Sequence, residues 1–374
     1  MRITGDSATT PVIVDELTRS SPPTETKSWI DFDISDGIPK ERPVVALAGS
    51  RLALKHGVGL HSNGVLRLHY GIKWAGTVYA VDLPAVPSST SPMSVHIYLP
   101  RHLDRWSGAT SGLLKVGSRD GSTLIQVAAK NVIYEIIDSL LAYQLLHNRS
   151  AMLHAAALCK GDRTAVLAGT GGVGKSTSLL AAMSRRQDLR YLGDDLIVID
   201  ENGRAFRHPK KVQVYDYNLD RLPETKTRLL DRLGPARRGL WTVRASWLGP
   251  KQVRMRVSAE DLFGAAQVAD ESQIDTVFWV VPGAVERVTS RPMDPGEAAQ
   301  HAAAALVDEF WDFARLLNLG SVLTDRAMSL DAFYSDTLGV YRSAFSRGEC
   351  YQLSVPRDAE PVEIVDSLSS LAGW

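Results

Sequence analysis

Eleven residues constrain this 374-residue chain more than any others: Leu167-Ala168-Gly169-Thr170-Gly171-Gly172-Val173-Gly174-Lys175-Ser176-Thr177. They satisfy G-x-x-x-x-G-K-[ST], and their flanks give that pattern physical meaning. Thr164-Ala165-Val166-Leu167-Ala168 reads as a short buried strand and residues 178–183 read as a helix. Glycines at such a strand-to-helix turn let the backbone curl until its N–H groups point at phosphate oxygens, and the helix N-terminus adds its positive dipole end. On this reading Gly169, Thr170, Gly171, Gly172, Val173, Gly174, Lys175, Ser176 and Thr177 form the cradle. Lys175 reaches the β- and γ-phosphates, and the Ser176 hydroxyl is a magnesium ligand. A glycine-rich turn that binds nothing is the plain alternative. The succession of strand, loop, Lys-Ser and helix argues against it.

Two acidic pairs flank one apolar strand downstream, in Gly193-Asp194-Asp195-Leu196-Ile197-Val198-Ile199-Asp200-Glu201-Asn202-Gly203. Asn-Gly between extended segments is a strong hairpin signal, which makes Asp200 and Glu201 solvated turn residues. Asp194 and Asp195 stand at the strand's entrance, about twenty residues beyond Lys175. Adjacent carboxylates are costly there unless a cation or a proton is shared between them, and magnesium supplies that reason. Two surface aspartates in a loop remain the bland reading. Before the glycine loop, Ala151-Met152-Leu153-His154-Ala155-Ala156-Ala157-Leu158 is an apolar strand interrupted by one histidine. A lone histidine in such a strand is more often a satisfied core residue, and only the neighbouring loop brings a site role level with that.

A histidine in the preceding strand, the G-x-x-G-x-G-K-S loop and a Gly-Asp-Asp about twenty residues on together resemble the HPr kinase/phosphorylase family. ATP-dependent phosphoenolpyruvate carboxykinase shares that layout. The resemblance covers residues 150 to 215 well and the rest to the C-terminus more loosely. It implies that one aspartate orients magnesium and the other takes the proton of an attacking hydroxyl. We assign Asp194 with Ser176 to the metal side, Asp195 to the base, and His154 to holding the aspartates or the phosphate. Arg238, Arg254 and Arg256 are candidates to neutralise the transferring phosphate. The chain departs from the family in two places. Thr177 stands where an acidic residue usually follows the Lys-Ser, and Arg238-Gly239-Leu240-Trp241 only echoes an Arg-Gly-Leu-Gly signature.

The expected fold is α/β, a P-loop nucleotide-binding domain like that of HPr kinase and phosphoenolpyruvate carboxykinase, preceded by a smaller, mostly β N-terminal domain. The expected activity is an ATP- and Mg2+-dependent kinase acting on a hydroxyl, either peptide Ser/Thr or a small-molecule alcohol. A base beside the γ-phosphate is needed only where the attacking atom carries a proton, and carboxylate or phosphate acceptors would be repelled there. The alternative is a regulatory nucleotide-binding ATPase without a phosphorylated acceptor. No Asn-Lys-x-Asp appears to read guanine, and a carboxykinase runs well beyond this length.

Lys and Arg balance Asp and Glu at 42 each. The segment from Arg204 to Arg256 nevertheless holds fourteen basic and four acidic residues, a local +10. It either faces anionic ligands or forms a solvated basic surface, and no stacking run accompanies it as a nucleic-acid site would require. Two cysteines, Cys159 and Cys350, exclude a disulfide framework. Without a signal peptide or an apolar run of the ~18–20 residues that span a bilayer, a cytoplasmic location is expected. The expected partner is the hydroxyl-bearing substrate, with self-association left open and neither membrane nor nucleic acid involved.

Residues 1–28, rich in Ser, Thr and Pro, read as poorly ordered, and 29–130 as mostly β. Turn signals stand at Ser62-Asn63-Gly64, and a Pro- and Ser-rich loop spans 84–92. Arg119-Asp120-Gly121 sits between Leu113-Leu114-Lys115-Val116 and Thr123-Leu124-Ile125-Gln126-Val127, a hairpin candidate. A helix is predicted over 131–147, N-capped by Asn131, with Val132, Ile133, Ile136, Ile137, Leu140, Leu141 and Leu145 as its core stripe. The kinase-like domain is therefore expected over 131–374. Within it, 208–215 should be extended and 219–240 helical with breaks at Pro223 and Gly234-Pro235. A buried strand is expected at 276–281, and helices from Asp294 to about Asn318, over 332–345 and over 361–371.

Overall fold

The computed structural model describes residues 2–5, 10–17, 30–36, 46–47, 50–51, 58–61, 65–72, 77–84, 93–99, 123–220, 223–232, 234–311, 313–314, 317 and 329–374. The chain divides into two compact units, residues 1–147 with 310–333 and residues 148–309 with 334–374. The α/β character expected from the sequence is observed in both.

The first unit carries a sheet of β1 (Arg2–Gly5), β2 (Ile30–Asp36), β5 (Val58–His61), β6 (Val65–Ile72), β7 (Thr77–Pro84) and β8 (Met93–Leu99). Their order is β1-β2-β8-β7-β6-β5, and a two-residue pair, β3 (Ala46–Leu47) with β4 (Ser50–Arg51), stands apart. Helix α1 (Thr10–Glu16) follows β1. The N-terminal segment is thus not poorly ordered throughout. Arg2–Gly5 pairs in parallel with Asp31–Ile34, and Ile13 and Leu17, one turn apart, are buried. Its polar composition conceals this because the strand's partner lies about thirty residues away. β5 and β6 form an antiparallel hairpin with His61 opposite Val65. The Ser62-Asn63-Gly64 turn itself, the 85–92 loop and residues 113–116 lie outside the described residues.

The second arm of the expected hairpin at Thr123–Val127 is helical instead. Helix α2 (Leu124–Val132) continues through a π turn, Ile133–Ile137, into α3 (Asp138–Leu146). Thr123 caps it: its hydroxyl accepts from the Gln126 N–H, and the Gln126 side chain accepts from the Thr123 N–H. This T-x-x-Q box outweighs the β-branched character of the segment, and it moves the helix start from Asn131 back to Leu124. Of the predicted stripe, Val132, Ile133, Ile136, Ile137, Leu140 and Leu145 are buried. The boundary expected near 130 falls inside this helical stretch, all of which belongs to the first unit.

The second unit's strands are β9 (Ser150–Leu153), β10 (Ala155–Lys160), β11 (Arg163–Ala168), β12 (Arg190–Gly193), β13 (Ile197–Asp200) and β14 (Arg204–Arg207). They continue with β15 (Val212–Tyr215), β16 (Arg254–Val257), β17 (Glu271–Pro282), β18 (Thr289–Pro292) and β19 (Glu349–Val355). The main sheet runs β12-β10-β11-β17-β14-β13-β9, with β19 also against β17 and β18 against β19. β15 and β16 form a separate antiparallel ribbon. The helices are α4 (Lys175–Arg185), α5 (Asp216–Asp220), α6 (Pro223–Arg232), α7 (Gly234–Leu248), α8 (Ala259–Phe263), α9 (Pro295–Glu309), α10 (Leu330–Phe345, in this unit from Tyr334 on) and α11 (Pro361–Leu371). Leu179, Leu180 and Met183 of α4 share a core with Ile364, Val365 and Leu368 of α11 and with Leu167 and Phe278 of the sheet. Burial on this scale, roughly 1.5–3 kcal/mol for each large apolar side chain, anchors α4 against the sheet. Among the described residues, no helix is long and apolar enough to cross a membrane.

Candidate functional site

Strand register alone brings the chemistry to one edge of the sheet. Ala155 lies opposite Ala168, so His154, one residue earlier, comes level with Gly169. β12 runs antiparallel to β10 and ends at Gly193 beside Ala157, so Asp194 and Asp195 leave at the same edge. β13 begins at Ile197, opposite Leu153 on one side and Arg207 on the other. His208 and Lys210 therefore return to where the acid pair began. Trp279 is paired with Ala168, which sets Val280 beside the start of the glycine loop.

That loop is held by contacts only glycine permits. Gly169 sits at φ +154°, and a Cβ there would fall 2.6 Å from the Val280 carbonyl oxygen. Gly174 caps α4 in the left-handed region at φ +93°, a conformation that costs other residues. Lys175 folds back over the loop, its ammonium donating to the carbonyls of Gly169 at 2.7 Å and Thr170 at 2.9 Å. Thr177 is fixed from the other side by the buried Asn218 amide, which donates to its hydroxyl. The first N–H groups of α4 have no partner within the helix, as at any helix start.

The acid pair closes on this loop. The Ser176 hydroxyl donates to Asp194 Oδ1 at 2.8 Å. Asp195 sits at φ +72°, in the left-handed region that aspartate tolerates better than most side chains. Lys210 Nζ stands 3.5 Å from Asp195 Oδ2, and His154 Nδ1 stands 3.3 Å from Glu309 Oε2. The charges strain one another. Burial and then Asp195 push the Asp194 carboxyl up to about 6, against the Ser176 hydrogen bond and the Lys175 charge. Burial brings Lys175 down to about 8, opposed by Asp194, Asp195 and Glu309. Burial and the Lys175 charge bring His154 down to about 4, so it is neutral at pH 7. Burial and the Asp195 charge raise Glu309. Titratable groups displaced this far from their ordinary values, gathered at one loop, make it the candidate site.

The structure thus brings together Lys175, Ser176, Asp194, Asp195 and His154. The second acid pair is a turn. Asp200 Oδ1 accepts from the N–H groups of Asn202 and Arg204, Gly203 takes φ +79°, and Glu201 pairs with Arg149. Of the arginine candidates, Arg238 pairs with Asp231, while Arg254 and Arg256 bond Tyr215 and Gln213 on the ribbon. Lys210, Glu309 and Asn218 were not singled out in the sequence. Lys210 is recoverable from the Asn202-Gly203 hairpin, because a strand of equal length must return to the level of the acid pair. Glu309 carries no local signal.

No protein-family model matches the chain, and no curated protein matches it. Among solved structures, the HPr(Ser) kinase/phosphatase from Coxiella burnetii matches at 12% identity and a TM-score of 0.24, over 38% of this chain and 77% of that chain. A likeness that slight carries no argument about fold or activity.

Proposed function

We propose that this chain is an ATP-dependent kinase that transfers the γ-phosphate to a hydroxyl, peptide Ser/Thr or a small-molecule alcohol. The observation that carries the reading is the 2.8 Å hydrogen bond from Ser176 to Asp194. It ties the residue after the loop lysine to the first of two adjacent carboxylates, so the phosphate cradle and the acid pair are one site.

The triphosphate lies along Gly169–Thr177, its oxygens taking the loop and α4 N–H groups. Lys175 exchanges its carbonyl partners for β- and γ-phosphate oxygens, which satisfy a buried ammonium better than two neutral carbonyls. A divalent cation fits the remaining feature, the half-buried Asp194 held near 6 by desolvation and a second carboxylate. Mg2+ is commonly bound through one or two carboxylates plus substrate phosphates, which suits the adjacent aspartates. Ser176 and Asp194 would hold it, and it would neutralise charge between the β- and γ-phosphates. Asp195 takes the proton of the acceptor hydroxyl as that oxygen bonds to γ-phosphorus. The bond from phosphorus to the bridging oxygen breaks, leaving ADP and a phosphate monoester. His154, neutral and 3.3 Å from Glu309, lines the acid side of the pocket, and the basic 204–256 segment holds any anionic part of the acceptor.

The test is phosphate transfer from labelled ATP into an extract of candidate acceptors. Lys175→Ala should fold and transfer nothing. Asp194→Asn and Asp195→Asn should each lose roughly 10²-fold or more, whereas Asp200→Asn and Glu201→Gln should stay near the wild-type rate. The labelled product should survive mild hydroxylamine, as a phosphate ester does. Full turnover by folded Lys175→Ala removes the loop from the mechanism. ATP hydrolysis with no labelled acceptor replaces the kinase with a regulatory ATPase.

A further inference from the structure

We propose that Lys210 is a second γ-phosphate ligand, gripping from the acceptor side the group that Lys175 grips from the loop side. The inference rests on the reading of Gly169–Thr177 as the triphosphate cradle. It assigns a residue that the loop motif does not contain.

Three observations carry it. The first is position. Hydrogen bonds and ion pairs lead from Ser176 to Asp194 and, one residue on, from Asp195 to Lys210. Lys210 is therefore joined to the acid pair at its second member, while the loop is joined at its first. The second is burial. The Lys210 side chain is 8% exposed, and an ammonium is withdrawn from water at a high cost unless anionic partners surround it. Its charge is also felt at His154 and Glu309. The third is fit. The 3.5 Å to Asp195 is longer than the 2.7–2.9 Å of a closed charge-assisted bond. Arg163–Asp275, at 2.6 Å, shows such a bond in the same unit. A phosphate oxygen on Lys210 leaves Asp195 released toward the acceptor hydroxyl.

The charge balance points the same way. With His154 neutral, Asp194, Asp195, Asp308 and Glu309 outnumber Lys175 and Lys210 by four to two around this cluster. A triphosphate adds further negative charge. A terminal phosphate set beside Asp195 without Lys210 would meet an acid with no cation next to it. In the transition state, negative charge spreads over the three equatorial oxygens. A fixed cation on the acceptor side stabilises that charge as it moves away from the loop.

The experiment measures Kd for ATP and for ADP, each with Mg2+, on the full chain and its variants. Lys210→Gln should weaken ATP by about 10–100-fold, the worth of one charge-assisted contact, and leave ADP within about twofold. Lys175→Ala should weaken both nucleotides. Lys210→Arg, which keeps the charge and serves if the glutamine variant does not fold, should restore much of the preference for ATP. Equal weakening of ATP and ADP by Lys210→Gln, or an unchanged ATP affinity, overturns the assignment. A wild-type chain that binds neither nucleotide overturns the cradle reading itself, and Lys210 with it.

Discussion

His154 shows at the scale of one residue how surroundings decide a role. Its sequence context, an apolar strand, fits a core histidine, and the structure does bury it. The groups facing it are nevertheless charged: Lys175, Lys210, Asp195, Asp308 and Glu309. Burial and the lysines hold its folded value near 4, against an ordinary 6.5. The sign follows from linkage: between those values the unfolded chain takes up the proton first. The contribution of His154 to stability is complete above about 6.5 and is lost as pH falls through about 4. Proton NMR of the imidazole Cε1–H should show a midpoint near 4. His154→Asn should be less destabilised than the wild type on going from pH 7 to 4.5. A midpoint near 6.5 would mean that His154 is solvated and outside the cluster.

Elements are decided by a mixture of local rules and close approach. The glycine loop illustrates both, because its four glycines are not equivalent. A Cβ at Gly169 meets the Val280 carbonyl at 2.6 Å, and the backbone of a packed strand cannot yield, whereas a Cβ at Gly171 meets nothing within 4 Å. Gly169→Ala should therefore cost roughly 1–3 kcal/mol in local strain and displace the loop. Gly171→Ala should melt like the wild type. Thermal denaturation with and without ATP compares the two, and equal behaviour would show that the loop is not clamped against β17. The hairpin β13–β14 is the opposite case. Asn202-Gly203 makes it legible by itself, with Asp200 capping the turn through its own backbone neighbours.

At the scale of the whole molecule, the second unit is built from two stretches of chain. Its C-terminal stretch supplies β19, parallel to β17 over Thr276–Pro282, and α11, whose Ile364, Val365 and Leu368 pack into the core that seats α4. Deleting residues 361–374 strips an apolar face from the loop helix and should lower the melting temperature and ATP affinity together. Deleting residues 334–374 also removes the β19 pairing with β17 and should abolish a cooperative melt followed by circular dichroism. An unchanged melt in either truncation would refute the shared core.

The sequence by itself determined what short-range chemistry can encode. The strand–loop–helix around Gly169–Thr177, the turn at Asn202-Gly203, the helical stripe of 132–145 and the helices at 332–345 and 361–371 all depend on spacings of a few residues. Backbone conformation and amphipathic period act over that range. Thr123 belongs to the same class, since its capping box was present to be read, although the neighbouring β-branched residues read more strongly as a strand. Only the tertiary structure decided the rest. Arg2–Gly5 is a strand because Asp31–Ile34 is there to pair with it. Lys210 reaches Asp195 because β14 returns in register. Glu309 comes within 3.3 Å of His154 from a helix that begins 141 residues after it. Such meetings are fixed by pairing and packing between distant segments, whose energies no local window of sequence contains.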